Sequence, residues 1–427
     1  MRDIFLVIFL FIGLCVTVRH AFAGVLIWEW VSLMQPHQEA YGFSRSLPLN
    51  LIVVLVTIGS WLASKQETKK ISSHPIIILL LALLAWMTFN SFFAFNPAWS
   101  WPFWDRTWKV FFLGIMISVT ATNRLRIDAV IWIAAISLLY YGIKGGVFTI
   151  ETGGQYKVYG PDNSTIGDNN QLALALLMTL PLVEYLRTNV QSRILSSGLF
   201  VAEALTAISV LGSYSRGAYI AMAAIAILAL FKTRRKFVYL VALALVLVPA
   251  YYLMPQAFFD RVGTIQNAST DGSFQGRVTA WHVAFRYAAD HFPFGAGFYG
   301  PQLKGIFNFY YPGEDNHAAH SIYFQVLGEH GFIGLGIYLL IAVISLSVCA
   351  TVAKRREGVS PQAQKLGAMI QLSLVAFFVG GAALSLAYYD LFVILICLLP
   401  QLKKQMPGFV AQRRYRADNL QPVQVGG

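Results

Sequence analysis

Long apolar runs separated by short polar breaks organise this chain. Stretches such as IIILLLALLAWM, FVYLVALALVLVPAYYL and LFVILICLL approach the roughly 20 residues a helix needs to cross hydrocarbon. None shows the short alternating strands of a membrane β-barrel. The pattern predicts helical spans at 4–34 (where Arg19 and His20 offer an interruption), 48–64, 75–95, 107–121, 127–147 and 169–186. Further spans are predicted at 194–212, 216–231, 237–254, 321–352, 364–385 and 387–402. The expected fold is an all-α integral membrane protein with about twelve transmembrane helices, each of near-spanning length, forming a single polytopic domain over 1–427.

Composition agrees. The chain is 57% hydrophobic and 12% charged, with a mean hydropathy of +0.59, where soluble domains carry about 25% charged residues. The net charge of +12 acquires meaning once it is placed on the chain. Basic clusters at 65–70, 124–126, Arg187 with Arg193, 232–236, 354–356 and the tail recur after every second apolar run. Under the positive-inside rule they mark the cytoplasmic side and put both chain ends there. Topology thus accounts for the charge, and nucleic-acid binding is not needed. Cys15, Cys349 and Cys397 all lie inside apolar runs and read as free packing thiols. The start, MRDIFLVIFLFIGLCVTVRHAFAG, has the small-residue end of a signal peptide, but Arg2 is offset by Asp3. It reads as an uncleaved first helix.

Irregular segments fall on the opposite, extracytoplasmic face. The largest is 255–320, a loop between the ninth and tenth spans; a second is 148–168. Long loops in compact domains tend to be functional. The segment FNPAWSWPFWDRTWK reads first as an interfacial aromatic belt.

Candidate chemistry concentrates on that face. In GSYSRGAY, a very short turn, Arg216 stands where basic residues are normally avoided. It is either a snorkelling helix-end arginine or an anion site, since a guanidinium fork matches phosphate oxygens. Ser213 and Ser215 add hydroxyls, and Gly217 leaves room for a ligand. Arg277, in DGSFQGRVTAWHVAF, is a second candidate at a loop-to-helix entry. Three histidines cluster in HAAHSIYFQVLGEHGFIG. His317 and His320 can share a helix face, whereas His330 lies ten residues beyond His320, roughly 15 Å along a helix. No third ligand is well placed, so a metal site is the lesser reading. An unbroken helix from His320 to Val352 would be about 50 Å long, against 40–45 Å for a bilayer with headgroups. His320 therefore belongs near the outer headgroup level, with tilt or a break around Gly331 to Gly334. There an imidazole can act as general base, donate to phosphate or bond backbone.

HSIYFQVLGEHGFIG, a His-Ser pair followed by two spaced glycines, resembles the motif of the O-antigen ligase and polymerase superfamily. SYSRGA and GSFQGRVTAW resemble the arginine segments of the same superfamily. WEWVSLMQPH, YYGIKGGVFTIETGGQYKVYGP and IGDNNQLALALLMTLPL extend the resemblance over most of the chain, toward the branch of O-antigen and O-glycosylation ligases. The resemblance implies a GT-C-type glycosyltransferase of the bacterial inner membrane, needing no metal or other cofactor. It would move a glycan from undecaprenyl diphosphate to lipid A-core oligosaccharide at the periplasmic face. It further implies that Arg216 and Arg277 bind the diphosphate and that His320 activates the acceptor hydroxyl. Asp390 in LAYYDLF matches an acidic position of the ligases and otherwise reads as helix N-terminal charge. Ser215 and His317 are possible supports. A polymerase or a protein O-glycosylation ligase stays open, and a lipid-linked glycan transporter is the reading from another class.

Overall fold

In a computed structural model, residues 2–40, 42–232, 272–354 and 360–418 are described, with the isolated positions Lys236, Ala244 and Gln256. The predicted span 237–254, Arg261 and the first part of the large loop lie outside the described residues. The helices are α1 (Arg2–Arg19), α2 (Ala21–Met34), α3 (Leu49–Ala63), α4 (Pro75–Phe92), α5 (Pro97–Thr120), α6 (Arg124–Glu151) and α7 (Asn169–Asn189). They continue with α8 (Arg193–Gly212), α9 (Arg216–Lys232), α10 (Gly272–Asp290), α11 (Lys304–Tyr310), α12 (Ile322–Ala353), α13 (Pro361–Gly380) and α14 (Asp390–Asp418). Five of these (α4, α6, α8, α12 and α13 with its following turn) are long and apolar enough to cross a membrane, and α2, α3 and α9 are shorter apolar helices. The chain is an α-helical membrane protein.

Local chemistry sets where the helices begin. Side chains of Asn96, Asn123, Asp168, Ser192 and Ser360 each accept a backbone N–H of the helix they precede, offsetting donors that a helix start leaves unpaired. Pro75, Pro97 and Pro361 occupy the first helical position, where a missing N–H costs nothing. The aromatic segment expected as a belt is the first half of α5, which starts ten residues earlier than the predicted span.

The first predicted span is not one helix. At His20 the chain reverses, and α1 and α2 pack antiparallel. Phe9 meets Trp30 at 5.2 Å, a Cβ added at Gly13 would stand 2.7 Å from Ile27, and one at Gly24 would stand 2.4 Å from the Thr17 methyl. Small residues let the two backbones approach where side chains would hold them apart. The Asp3 carboxylate accepts from Ser44 N at 3.0 Å and Ser44 Oγ at 2.6 Å, so the chain start lies with the α2–α3 connection. At the other end, Ser60 Oγ donates to Thr17 O at 2.6 Å, and the Arg126 guanidinium grips both Glu67 oxygens at 2.8 Å. The bundle thus has an upper end, carrying Arg2, the 35–47 connection and the starts of α7, α9 and α14. Its lower end carries Arg19, the 64–74 connection and the start of α6. Arg2 is on the opposite end from the basic 65–70 cluster, which corrects the expectation that both chain ends lie with the basic connections.

One apolar core runs through α1–α9 and α12–α14. It is closest between α6 and α8, where Gly142 and Gly146 line one face and a Cβ at Gly146 would be 2.2 Å from Leu205 O. A smaller core (Ala280, Val283, Tyr287, Ala296, Ile306, Phe307) lies under the large loop. There α10 runs parallel to the first half of α12: Trp281 stacks on Phe324 at 5.1 Å, and Phe285 meets Phe332 at 5.9 Å.

Of the tilt or break expected around Gly331 to Gly334, α12 has a break, at Gly331, with φ 68° and ψ −171°. A helix break frees carbonyls that apolar surroundings leave unpaired at several kcal/mol each. Here each one finds a donor. Ala296 N donates to Gly328 O at 2.8 Å and Gly297 N to Glu329 O at 2.9 Å. Asn90 Nδ2 also donates to Glu329 O at 2.7 Å, and Trp86 Nε1 to His330 O at 2.8 Å. The segment 293–298 fits because Gly295 lacks a side chain: a Cβ there would be 2.4 Å from His330 N. Gly331→Ala is expected to destabilise the fold, since its backbone region is nearly glycine-only, at about 1–3 kcal/mol, and the new Cβ would meet Pro293 O at 2.3 Å. Thermal unfolding of purified protein should drop for Gly331→Ala and stay level or rise for Gly336→Ala, whose added Cβ meets nothing within 4 Å.

Candidate active site

The upper end gathers three sequence-distant segments around one short turn, Gly381–Ala383. The first is the start of α9. Tyr214 takes a left-handed conformation (φ 58°), anchored by its hydroxyl on Gly154 O at 2.5 Å. Asn169 Nδ2 holds Ser213 O at 2.7 Å, tying this corner to α7. Ser215 is buried and caps α9, its Oγ accepting from Ala218 N at 3.3 Å, which leaves Arg216 as the first helical residue. A Cβ on Gly217 would be 3.3 Å from Ala383 Cβ, so the corner sits against the turn.

The second segment is the start of α10. Arg277 Nη1 donates to Ala383 O at 3.5 Å. A Cβ on Gly276 would be 2.9 Å from the His317 ring, and His317 meets Phe307 edge-on at 6.0 Å. The third segment is the approach to α12. Trp281 Nε1 donates to Ala319 O at 2.6 Å, Tyr323 donates its hydroxyl to Phe378 O at 2.9 Å, and Ile322 lies on Gly381. Between these fixed points His320 is held at φ 43°. Left-handed backbone in a residue other than glycine carries strain, and such positions cluster at functional sites.

Electrostatics agrees with the geometry. Burial lowers the His320 pKa below the usual 6.5, the Arg277 charge lowers it further, Asp168 opposes, and His317 adds a smaller lowering. His320 therefore stands near a cation, an anion and a second imidazole, and is neutral at pH 7. A neutral ring can accept a proton; a charged one cannot. Arg216, Arg277 and His320 thus share one turn, with Ser215 behind them as a cap and His317 exposed at the rim.

Asp390 is placed differently. It is buried at the start of α14, accepts a short hydrogen bond from Ser32 Oγ of α2, and faces the Arg106 charge from α5. Arg106 in turn bonds Thr165 Oγ1, to which Gln35 Nε2 donates at 2.6 Å. Asp390 belongs to this neighbouring polar cluster, and Thr165 lies three residues before Asp168 on the same connection. His330 is fully buried, between Phe298 at 4.5 Å and Tyr388 at 5.8 Å. It packs under the break in α12, away from His320. Among the described residues, no three His, Cys, Asp or Glu side chains meet as a metal site would require.

Two further residues at this end, Asp168 and Arg106, do not stand out in the sequence. Asp168 is hidden by its capping role, accepting Asn170 N at 2.9 Å, and Arg106 by its aromatic surroundings. The signal for Asp168 was present: a helix cap at the end of a long outer connection lies at the level of the site.

Residues 201–339 match the family model described as O-Antigen ligase. This stretch of the chain carries the O-antigen ligase family's domain. The matched stretch contains Arg216, Arg277 and His320 and stops short of Asp390. Residues 1–191 match a family of unknown function (DUF5935), and no curated protein matches the chain. The domain supports an enzyme of the O-antigen ligase and polymerase type, a family that implies lipid-linked glycan substrates in a membrane setting.

The His320 environment predicts its titration. Diethylpyrocarbonate reacts with the neutral ring, so its rate at His320, followed site by site by mass spectrometry, should reach half its plateau below pH 6.5. Arg277→Ala removes a lowering charge and should move that midpoint up. Asp168→Asn removes the raising one and should move it down.

Proposed function

We propose that this O-antigen ligase family member transfers a glycan from an undecaprenyl diphosphate carrier to lipid A-core oligosaccharide. The transfer takes place at the upper end, which is the periplasmic face of the bacterial inner membrane. The observation that carries this is the meeting of Arg277, Arg216 and a neutral His320 at the Gly381–Ala383 turn. Guanidinium groups hold the carrier diphosphate through charge-assisted hydrogen bonds. His320 takes the proton of the acceptor hydroxyl as the oxygen attacks the anomeric carbon. The bond from that carbon to the diphosphate oxygen breaks with inversion, and the charge released on the leaving group is met by the arginines. No cofactor enters this step, and the arginines carry the charge stabilisation.

The fold that frames this chemistry is read as a GT-C-type bundle. Separating α1 from α2 would add one crossing to the twelve expected and put the chain ends on opposite sides. A glycan transporter would gather charge near the midplane, whereas the cluster here lies at one end.

The test is transfer between purified carrier-linked glycan and lipid A-core acceptor. His320→Ala should lower turnover by about 10²–10⁴. Arg216→Ala and Arg277→Ala should each lower kcat/KM by about 10- to 150-fold, corresponding to the roughly 1.5–3 kcal/mol of a hydrogen bond to a charged group. A folded His320→Ala protein with full turnover would exclude the base role. Loss of activity with EDTA, restored by a divalent ion, would replace the arginine-only mechanism with a metal-assisted one. Extension of the carrier-linked glycan in place of transfer to lipid A-core would identify a polymerase.

A further inference from the structure

The lower end holds a feature that the transfer chemistry does not use. Between the α1–α2 turn, the connection after α3 and the start of α6 lies a cavity of about 330 Å³, whose lining includes Arg19, His20, Phe22, Leu26, Glu67 and Arg126. We propose that it binds the headgroup phosphate of an anionic phospholipid in the leaflet opposite the active site.

Three features shape the site, and the first and third favour an anion. First, Arg19 is exposed at the rim and pairs with no carboxylate among the described residues. Second, Arg126 is built into the wall: it holds Glu67 with both terminal nitrogens at 2.8 Å, donates to Thr120 O at 2.8 Å, and lies over the Phe22 ring at 4.8 Å. Glu67 lines the cavity too, but both its oxygens are engaged by Arg126, so Arg19 is left as the uncompensated charge. Third, α2 opens at the cavity with no side-chain cap from His20. The Ala21 and Phe22 ends of that 14-residue helix line the space and present the positive end of the helix dipole.

The remaining walls argue for a lipid over a soluble anion. Val16, Phe22 and Leu26 supply an apolar lining, and Val16 and Val18 continue it along the exposed face of α1. A phosphate at Arg19 thus has acyl-compatible surface directly beside it, as in basic pockets between membrane helices that hold acidic headgroups. Inorganic phosphate would use the cationic part and leave the apolar part empty.

Native mass spectrometry of the full chain, with phosphatidylglycerol and phosphatidylcholine in competition, tests this. Wild-type protein should retain phosphatidylglycerol over phosphatidylcholine about tenfold, the factor that corresponds to roughly 1.4 kcal/mol. Arg19→Gln should reduce the preference to about twofold or less, and Arg19→Lys should keep most of it. Lys70→Gln, a charge removed from the same end outside the cavity, should leave it unchanged; Lys70 is exposed. Thermal unfolding of each variant separates loss of the site from loss of the fold, and Leu26→Trp, which fills the cavity without altering charge, gives a second route to the same loss. No headgroup preference in the wild type, equal losses for Arg19→Gln and Lys70→Gln, or full displacement of the lipid by millimolar inorganic phosphate would each overturn the proposal.

Discussion

A backbone carbonyl inside a bilayer needs a donor from within the protein, and the break at Gly331 makes that requirement acute. Three consecutive carbonyls lose their regular helical setting, and three different parts of the chain supply what they need: the backbone of 296–297, Asn90 of α4 and Trp86 one turn earlier. Asn90 works in both directions, since its Oδ1 also accepts from Gly295 N at 3.1 Å. The large loop is thereby fastened into the membrane bundle at depth rather than resting on its surface. Everything above the fastening inherits its position. The first half of α12 carries His320 upward, α10 runs beside it with Arg277, and Trp281 clamps the two together.

The proposed transfer at the upper end would depend on keeping one base neutral beside groups that must stay charged. Burial and the Arg277 charge both disfavour imidazolium at position 320, while a guanidinium remains protonated under any physiological condition. Binding of a diphosphate would add negative charge next to the ring and raise its basicity. In the proposed mechanism the free site would hold the histidine as an acceptor, and the bound donor would strengthen it when a proton has to move. Asp168, at the start of α7, acts in the same direction in the free site.

Much of this was legible in the residues, and the parts that were not have a common cause. The apolar runs placed most helices, and the caps Asn123, Asp168, Ser192 and Ser360 explain where they start because capping is local chemistry, while α5 begins at Pro97, before its predicted span. The length of α12, 32 helical residues, exceeds what a bilayer accommodates and called for tilt or a break; the structure has the break, at Gly331. The reversal at His20 was not legible as a second crossing, because an apolar run has the same composition whether the chain continues or turns back. What decides it is Gly13 against Ile27 and Gly24 against Thr17, contacts across the pair. Likewise Arg216 and Arg277 could be assigned to one depth but not to one turn, since Gly381–Ala383 has no charged or polar side chain to announce it. Asp390 and Ser32 are 358 residues apart, and no local pattern connects them.

The α1–α2 reversal has a consequence for biogenesis. With Asp3 tied to Ser44 at the upper end, the first helix has to pass its own beginning through the bilayer while Arg19 stays behind. The two helices therefore enter as a paired hairpin, each shielding the other's small-residue face from lipid. Any segment joined ahead of Arg2 would emerge at the upper end, which also carries the starts of α7, α9 and α14.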